Sequence, residues 1–165
     1  MNVIFHTLGS IATAAVLSAK PGEKTSNLKK LAVGFFVGIL LHGILDLLPH
    51  NYPLSSTLDV FFTLFLLALT IFLAQKQNRI LILVCFVGAI FPDLVDLGAE
   101  IANKHLGIPF PQFSFKIFPW HWKEYSGSIY DGTRNFESLI YHSLVFLISF
   151  LLIYFYRNKL FSNLP

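Results

Sequence analysis

Five apolar stretches, at about 2–19, 31–49, 57–75, 79–98 and 136–156, dominate the 165-residue chain. A helix of about 20 apolar residues is what a hydrocarbon core about 30 Å thick requires. Only 13% of the residues are charged, against about 25% in an ordinary soluble domain. One soluble core could not hide this much apolar side chain, so lipid must cover part of it. The expectation is an all-α fold: a polytopic transmembrane helix bundle of about five spans. It forms a single integral membrane domain over 1–165, with a long outer loop at 99–135 and membrane lipid as its surroundings.

The first stretch has no basic residues before it, and its lysines follow. That pattern favours a retained span over a signal peptide. Lys20, Lys24, Lys29 and Lys30 lie after span one, Lys76 and Arg79 between spans three and four, and Arg157 and Lys159 in the tail. With five spans these all fall on one side. The connection from His50 to Ser56 has no Lys or Arg. The positive-inside rule then puts the N-terminus outside and the C-terminus in the cytoplasm, in the plasma membrane of a prokaryote. Basic residues in short runs between apolar stretches read as topology signals, and no nucleic-acid partner is expected. The single Cys85 excludes an internal disulfide or a cysteine-cluster metal site.

The outer loop carries Phe113, Phe115, Phe118, Trp120, Trp122 and Tyr125, residues that favour the lipid headgroup zone. Pro109, Pro111 and Pro119 interrupt any continuous helix there. This segment should lie on the membrane or fold over the helix mouths. Gly34 and Gly38 form a small-xxx-small pair that permits close helix contact.

Ionisable residues inside spans need a reason, because each costs about 2.5–3.5 kcal/mol at a bilayer centre. Span one holds His6; span two holds His42, Asp46 and His50; span four holds Asp93 and Asp96; span five holds His142. His42 and Asp46 are four residues apart and share a helix face, as do Asp93 and Asp96 at three. His50 lies about 12 Å along the axis from His42 and belongs at the mouth. The topology set by Lys and Arg alone brings His6, Asp46, Asp93 and His142, from four helices, to a similar depth near the outer face. Imidazole with carboxylate is the usual ligand set of a catalytic Zn²⁺ or similar transition metal. The alternative at each position is a satisfied interhelical hydrogen bond. His50 and His121 also read as interfacial residues, Asp59 as a helix cap, Asp96 as a helix-end residue and His105 as solvated.

The early His, the His42-Gly-Ile-Leu-Asp46-Leu-Leu-Pro-His50 helix, the element Gly88-Ala-Ile-Phe-Pro-Asp93-Leu-Val-Asp96 and the late His142-Ser143 form a familiar set. Together they resemble a family of small bacterial and archaeal membrane proteins labelled membrane-bound metal-dependent hydrolases. The likeness touches spans one, two, four and five. Here Pro-Asp follows the His-x-x-x-Asp helix rather than preceding it, and Tyr141 stands where the better-known branch has Thr. The resemblance implies metal or catalytic roles for His6, His42, Asp46, Asp93, Asp96 and His142.

The expected function is hydrolysis, at the outer face, of a phosphoester or ester, lipid included, through a metal-activated water. His6, His42, Asp46, Asp93 and His142 would hold the metal, with Zn²⁺ the first choice. Asp96 or His50 would move protons, and Lys123 or Arg134 would hold a substrate phosphate. A proton-relay transporter and a structural membrane protein with His/Asp packing contacts are the alternatives.

Overall fold

The computed structural model describes residues 1–19, 27–107, 109–111, 115–129 and 136–161. Lys20, Glu23, Lys24, Phe113, Arg134 and the side chain of His105 lie outside that description. Six α-helices make up the described chain: α1 (Val3–Ser18), α2 (Asn27–Leu47), α3 (Ser56–Leu73), α4 (Arg79–Asp96), α5 (Gly98–Leu106) and α6 (Phe136–Leu160).

Four helical segments are long and apolar enough to cross a membrane: α2, α3, α4 with the short turn before it, and α6. The 16-residue α1 is shorter, about 24 Å at 1.5 Å per residue. Yet α1 is the axis of the bundle, packing against α2, α3, α4 and α6. Its buried residues are mostly small: Thr7, Gly9, Ser10, Ala12, Ala14 and Ala15. Small side chains let neighbouring helices approach closely where dispersion, not water exclusion, holds them together. The outer helices instead expose Phe36, Phe61, Phe65, Phe72, Phe146 and Phe155, the outward apolar surface that lipid would solvate.

Glycine sets the tightest helix pair. A Cβ on Gly38 would lie 2.7 Å from the Cys85 carbonyl oxygen and 2.8 Å from the Ala89 nitrogen, and one on Gly88 would collide with the Phe35 carbonyl. The backbones of α2 and α4 therefore touch, which aligns the His42–Asp46 face with Asp93. We expect Gly88→Ala to force the two helices apart and to cost about 1–3 kcal/mol, the usual penalty of overpacking. Thermal unfolding in detergent reads it, and an unchanged midpoint would contradict the close packing.

Asp59 is a cap, but of a different helix from the one it opens. Its carboxylate accepts the backbone N–H groups of Val3 (2.8 Å) and Ile4 (3.0 Å), which have no partner within α1. At the opposite end, Asn78 donates to the carbonyls of Lys159 and Leu160 (2.7 and 3.1 Å).

The stretch expected as an outer loop is partly helical, since α5 occupies its first part. Residues 115–129 then turn back over the ends of α2 and α4. Gly127 N–H donates to the Asp46 carbonyl, His50 N–H to Gly127, and Ile129 N–H to His50, each at 2.8 Å. A side chain at Gly127 would run into the Leu48 carbonyl, and one at Gly43 would press on the Trp120 ring at 2.7 Å. Glycine is what lets this segment seat on α2.

Candidate metal centre

His42, Asp46, Asp93 and His121 converge, each offering one ligand atom within 4.8 Å of the others, and could hold a metal ion. The first two lie in the last turns of α2, Asp93 lies one turn from the end of α4, and His121 ends the 3₁₀ turn Pro119–His121. His42 Nε2 is 3.1 Å from Asp46 Oδ2, 3.6 Å from Asp93 Oδ1 and 3.2 Å from His121 Nε2. His121 Nε2 is 3.6 Å from Asp46 Oδ2 and 3.3 Å from Asp93 Oδ1. Ligands about 2.0–2.2 Å from a tetrahedral ion sit about 3.3–3.6 Å apart. The five distances therefore fit the edges of one coordination sphere.

The imidazole orientations are fixed from behind. His42 Nδ1–H donates to the Ala89 carbonyl at 2.6 Å. That carbonyl lies in the turn before Pro92, where a proline's missing N–H loosens the helix ladder. His121 Nδ1–H donates to Asp96 Oδ2 at 2.9 Å. With both protons on Nδ1, both Nε2 atoms are lone pairs in the neutral rings. Such outer partners are the usual way a ligating histidine is held.

Four acceptors thus face one another with no protein hydrogen between them. A proton relieves this in part. Burial opposes charge on His121, but hydrogen bonds to Asp46, Asp93 and Asp96 outweigh it and push its pKa up to about 10. One proton balances one of the two carboxylates in the group, whereas a divalent cation balances both.

Several expected residues lie around this centre rather than in it. His6 stacks on His42, ring centroids 4.3 Å apart. Its Nε2 is 3.2 Å from Asp46 Oδ1, but the angle is poor and neither ring nitrogen makes a hydrogen bond. His142 does not join the four residues; it stacks on Phe5 at 4.5 Å, with its buried Nε2 unpartnered. Asp96 stands behind His121, accepting the N–H groups of Ile117 (2.8 Å) and Phe118 (2.9 Å) as well. His50 donates from Nδ1 to the Leu48 carbonyl (2.7 Å), and its Nε2 faces the Met1 nitrogen (2.6 Å), Ser128 Oγ (3.1 Å) and Tyr52 Oη (3.2 Å). Burial and the neighbouring amino group lower its pKa to about 4. Lys123 is exposed.

His121 is the member of the group that spacing along the chain left at the rim. Its only local signal is the Pro119-Trp120-His121-Trp122 run, in which flanking aromatics tie a histidine to the membrane interface. Trp120 packs over Gly43 and beside Phe118, ring centroids 5.1 Å apart, and so carries His121 onto α2.

No family model matches the chain, and no curated protein or solved structure matches it.

Proposed function

We propose that this chain is a membrane-embedded, metal-dependent hydrolase that cleaves a phosphoester or ester of lipid-like character at the outer face. The observation that carries the reading is the convergence of four acceptors with their outer hydrogen bonds already in place. His42, Asp46, Asp93 and His121 are its metal ligands, and their nitrogen and oxygen donors suit Zn²⁺. A bound Zn²⁺ supplies a water acidic enough to act as a nucleophile near neutral pH.

The protein's own groups do the rest. For a phosphoester, the water oxygen bonds to phosphorus, the P–O bond to the alcohol breaks, and the water proton ends on the departing oxygen. Asp93 is the group best able to carry that proton, being the most open of the four at 25% side-chain exposure. Asp96 is a positioning residue, because its three hydrogen bonds hold His121 and the backbone beside it. His50 is neutral at working pH and lines the mouth with Tyr52 and Ser128. Trp120 and Phe118 cover the ligands and limit water.

Five spans, with α1 as the short inner one, and an outer location are supported by the placement of the charges. Lys29 and Lys30 begin α2, Lys76 and Arg79 precede or open α4, and Arg157 and Lys159 end α6, all at the end opposite the candidate centre. A relay across the membrane has less support. Thr7, Ser10, Thr13, Ser18 and Thr70 hydrogen-bond back to carbonyls of their own helices and offer no open polar path.

Elemental analysis of protein purified in detergent without chelators should find stoichiometric divalent metal. Chelation should abolish hydrolysis of a phosphoester lipid in mixed micelles, and Zn²⁺ should restore it. Protein that neither carries nor takes up a stoichiometric divalent ion would end this reading.

A further inference from the structure

A cavity of about 160 Å³ lies among the end of α4, the first turn of α5 and residues 115–117. Drug-sized ligands need about 300–1,000 Å³, so this one suits a small polar group. Two charges of opposite sign line it, Glu100 and Lys116. Both residues are exposed, and neither is in an ion pair with a described residue. The third charged group of the lining, Asp96, is already occupied by the N–H groups of Ile117 and Phe118 and by His121 Nδ1–H. We infer that this cavity binds the head group of an ethanolamine phospholipid, its ammonium on Glu100 and its phosphate on Lys116.

The wall that carries Lys116 is fixed in advance. Asp96 accepts the N–H of the next residue, Ile117, at 2.8 Å, and Trp122 Nε1–H donates to the Lys116 carbonyl at 2.9 Å. A cation on a held backbone and a carboxylate on a helix, both lining one small cavity, fit a ligand whose own cation and anion are joined by a short linker. The rest of that ligand is apolar. Val95, Phe115 and Ile117 of the lining are exposed, as is Leu94 beside them, and acyl chains can lie on them.

The choice among zwitterionic head groups follows from the donors. A primary ammonium offers three N–H groups to a carboxylate. A choline offers none and is usually held in an aromatic cage, and Phe115 is the only aromatic ring in the lining. The site is distinct from the candidate metal centre, because Asp96 stands between this cavity and His121.

Native mass spectrometry of the full-length protein in detergent micelles tests this, by titration with ethanolamine and choline phospholipids of the same acyl chains. The ethanolamine lipid should bind about tenfold tighter or more, the scale of one charge-assisted hydrogen bond. Glu100→Gln should erase that preference by weakening the ethanolamine lipid alone, and Lys116→Gln should weaken both lipids alike. Both residues are exposed, so both variants should fold. Phosphoethanolamine without chains should bind about a hundredfold less tightly than the lipid, since burial of chain methylenes adds affinity. Equal affinity for the two lipids, or a preference that survives Glu100→Gln, overturns the assignment. A chain-free competitor as tight as the lipid overturns the lipid in favour of a free zwitterion.

Discussion

Asp46→Asn is expected to retain its helices and lose its metal, with apparent affinity down about a hundredfold or more and hydrolysis at background. Asp46 faces His42 through one oxygen and His6 and the Met1 nitrogen through the other, and His121 Nε2 lies 3.6 Å from it. Losing only an outer hydrogen bond to a metal ligand typically costs 10–100-fold in affinity; losing a ligand and its charge should cost at least as much. The amide keeps the volume of the carboxylate, and its NH₂ can donate to a facing Nε2. Asp46→Ala leaves those nitrogens facing a void and should also destabilise the fold, by about 3–5 kcal/mol, the scale for breaking a buried charge pair. Metal analysis paired with thermal unfolding separates the two effects. An Asp46→Asn protein with full metal content would show that the ion is held elsewhere.

Metal affinity should tighten steeply with pH. Without metal, the pKa of His121 stands at about 10 against an ordinary 6.5, so one proton must leave for Nε2 to ligate. Binding of Mn²⁺ should strengthen about tenfold per pH unit between pH 6.5 and 8.5, or about a hundredfold across that window. His50, with its pKa near 4, is already neutral there and adds no second proton. Stability of the metal-free protein should run the other way. The folded pKa of His121 is raised, so its contribution is complete below about pH 6.5 and is lost as pH rises through about 10. His121→Gln should flatten both profiles. A pH-independent affinity in the wild type would mean that His121 does not ligate.

Hydrophobic run length and the positions of Lys and Arg were enough to read an all-helical chain with segments able to cross a membrane. They also put His6, Asp46, Asp93 and His142 at a similar depth near one end, with His42 on the face of Asp46. These properties are local: helix period sets which residues share a face, and distance from the end of a run sets depth. The Gly34–Gly38 signal likewise reported a close approach of α2 to α4, backbone to backbone at Gly38 and onto the Cys85 side chain at Gly34. The rest depended on tertiary packing. Nothing in the composition of α1 shows that the shortest apolar helix occupies the middle of the bundle; that follows from four neighbours competing for its small-residue surface. The structure also decided that His142 turns to Phe5 and that Asp96 lies behind His121, accepting its Nδ1–H. His121 is the clearest case. It reaches the centre because Gly43 leaves room for Trp120, Gly127 for the Leu48 carbonyl, and Asp96 ties down the backbone of Ile117 and Phe118 just before it. Those contacts join residues 21 to 79 positions apart, and no period along the chain encodes them.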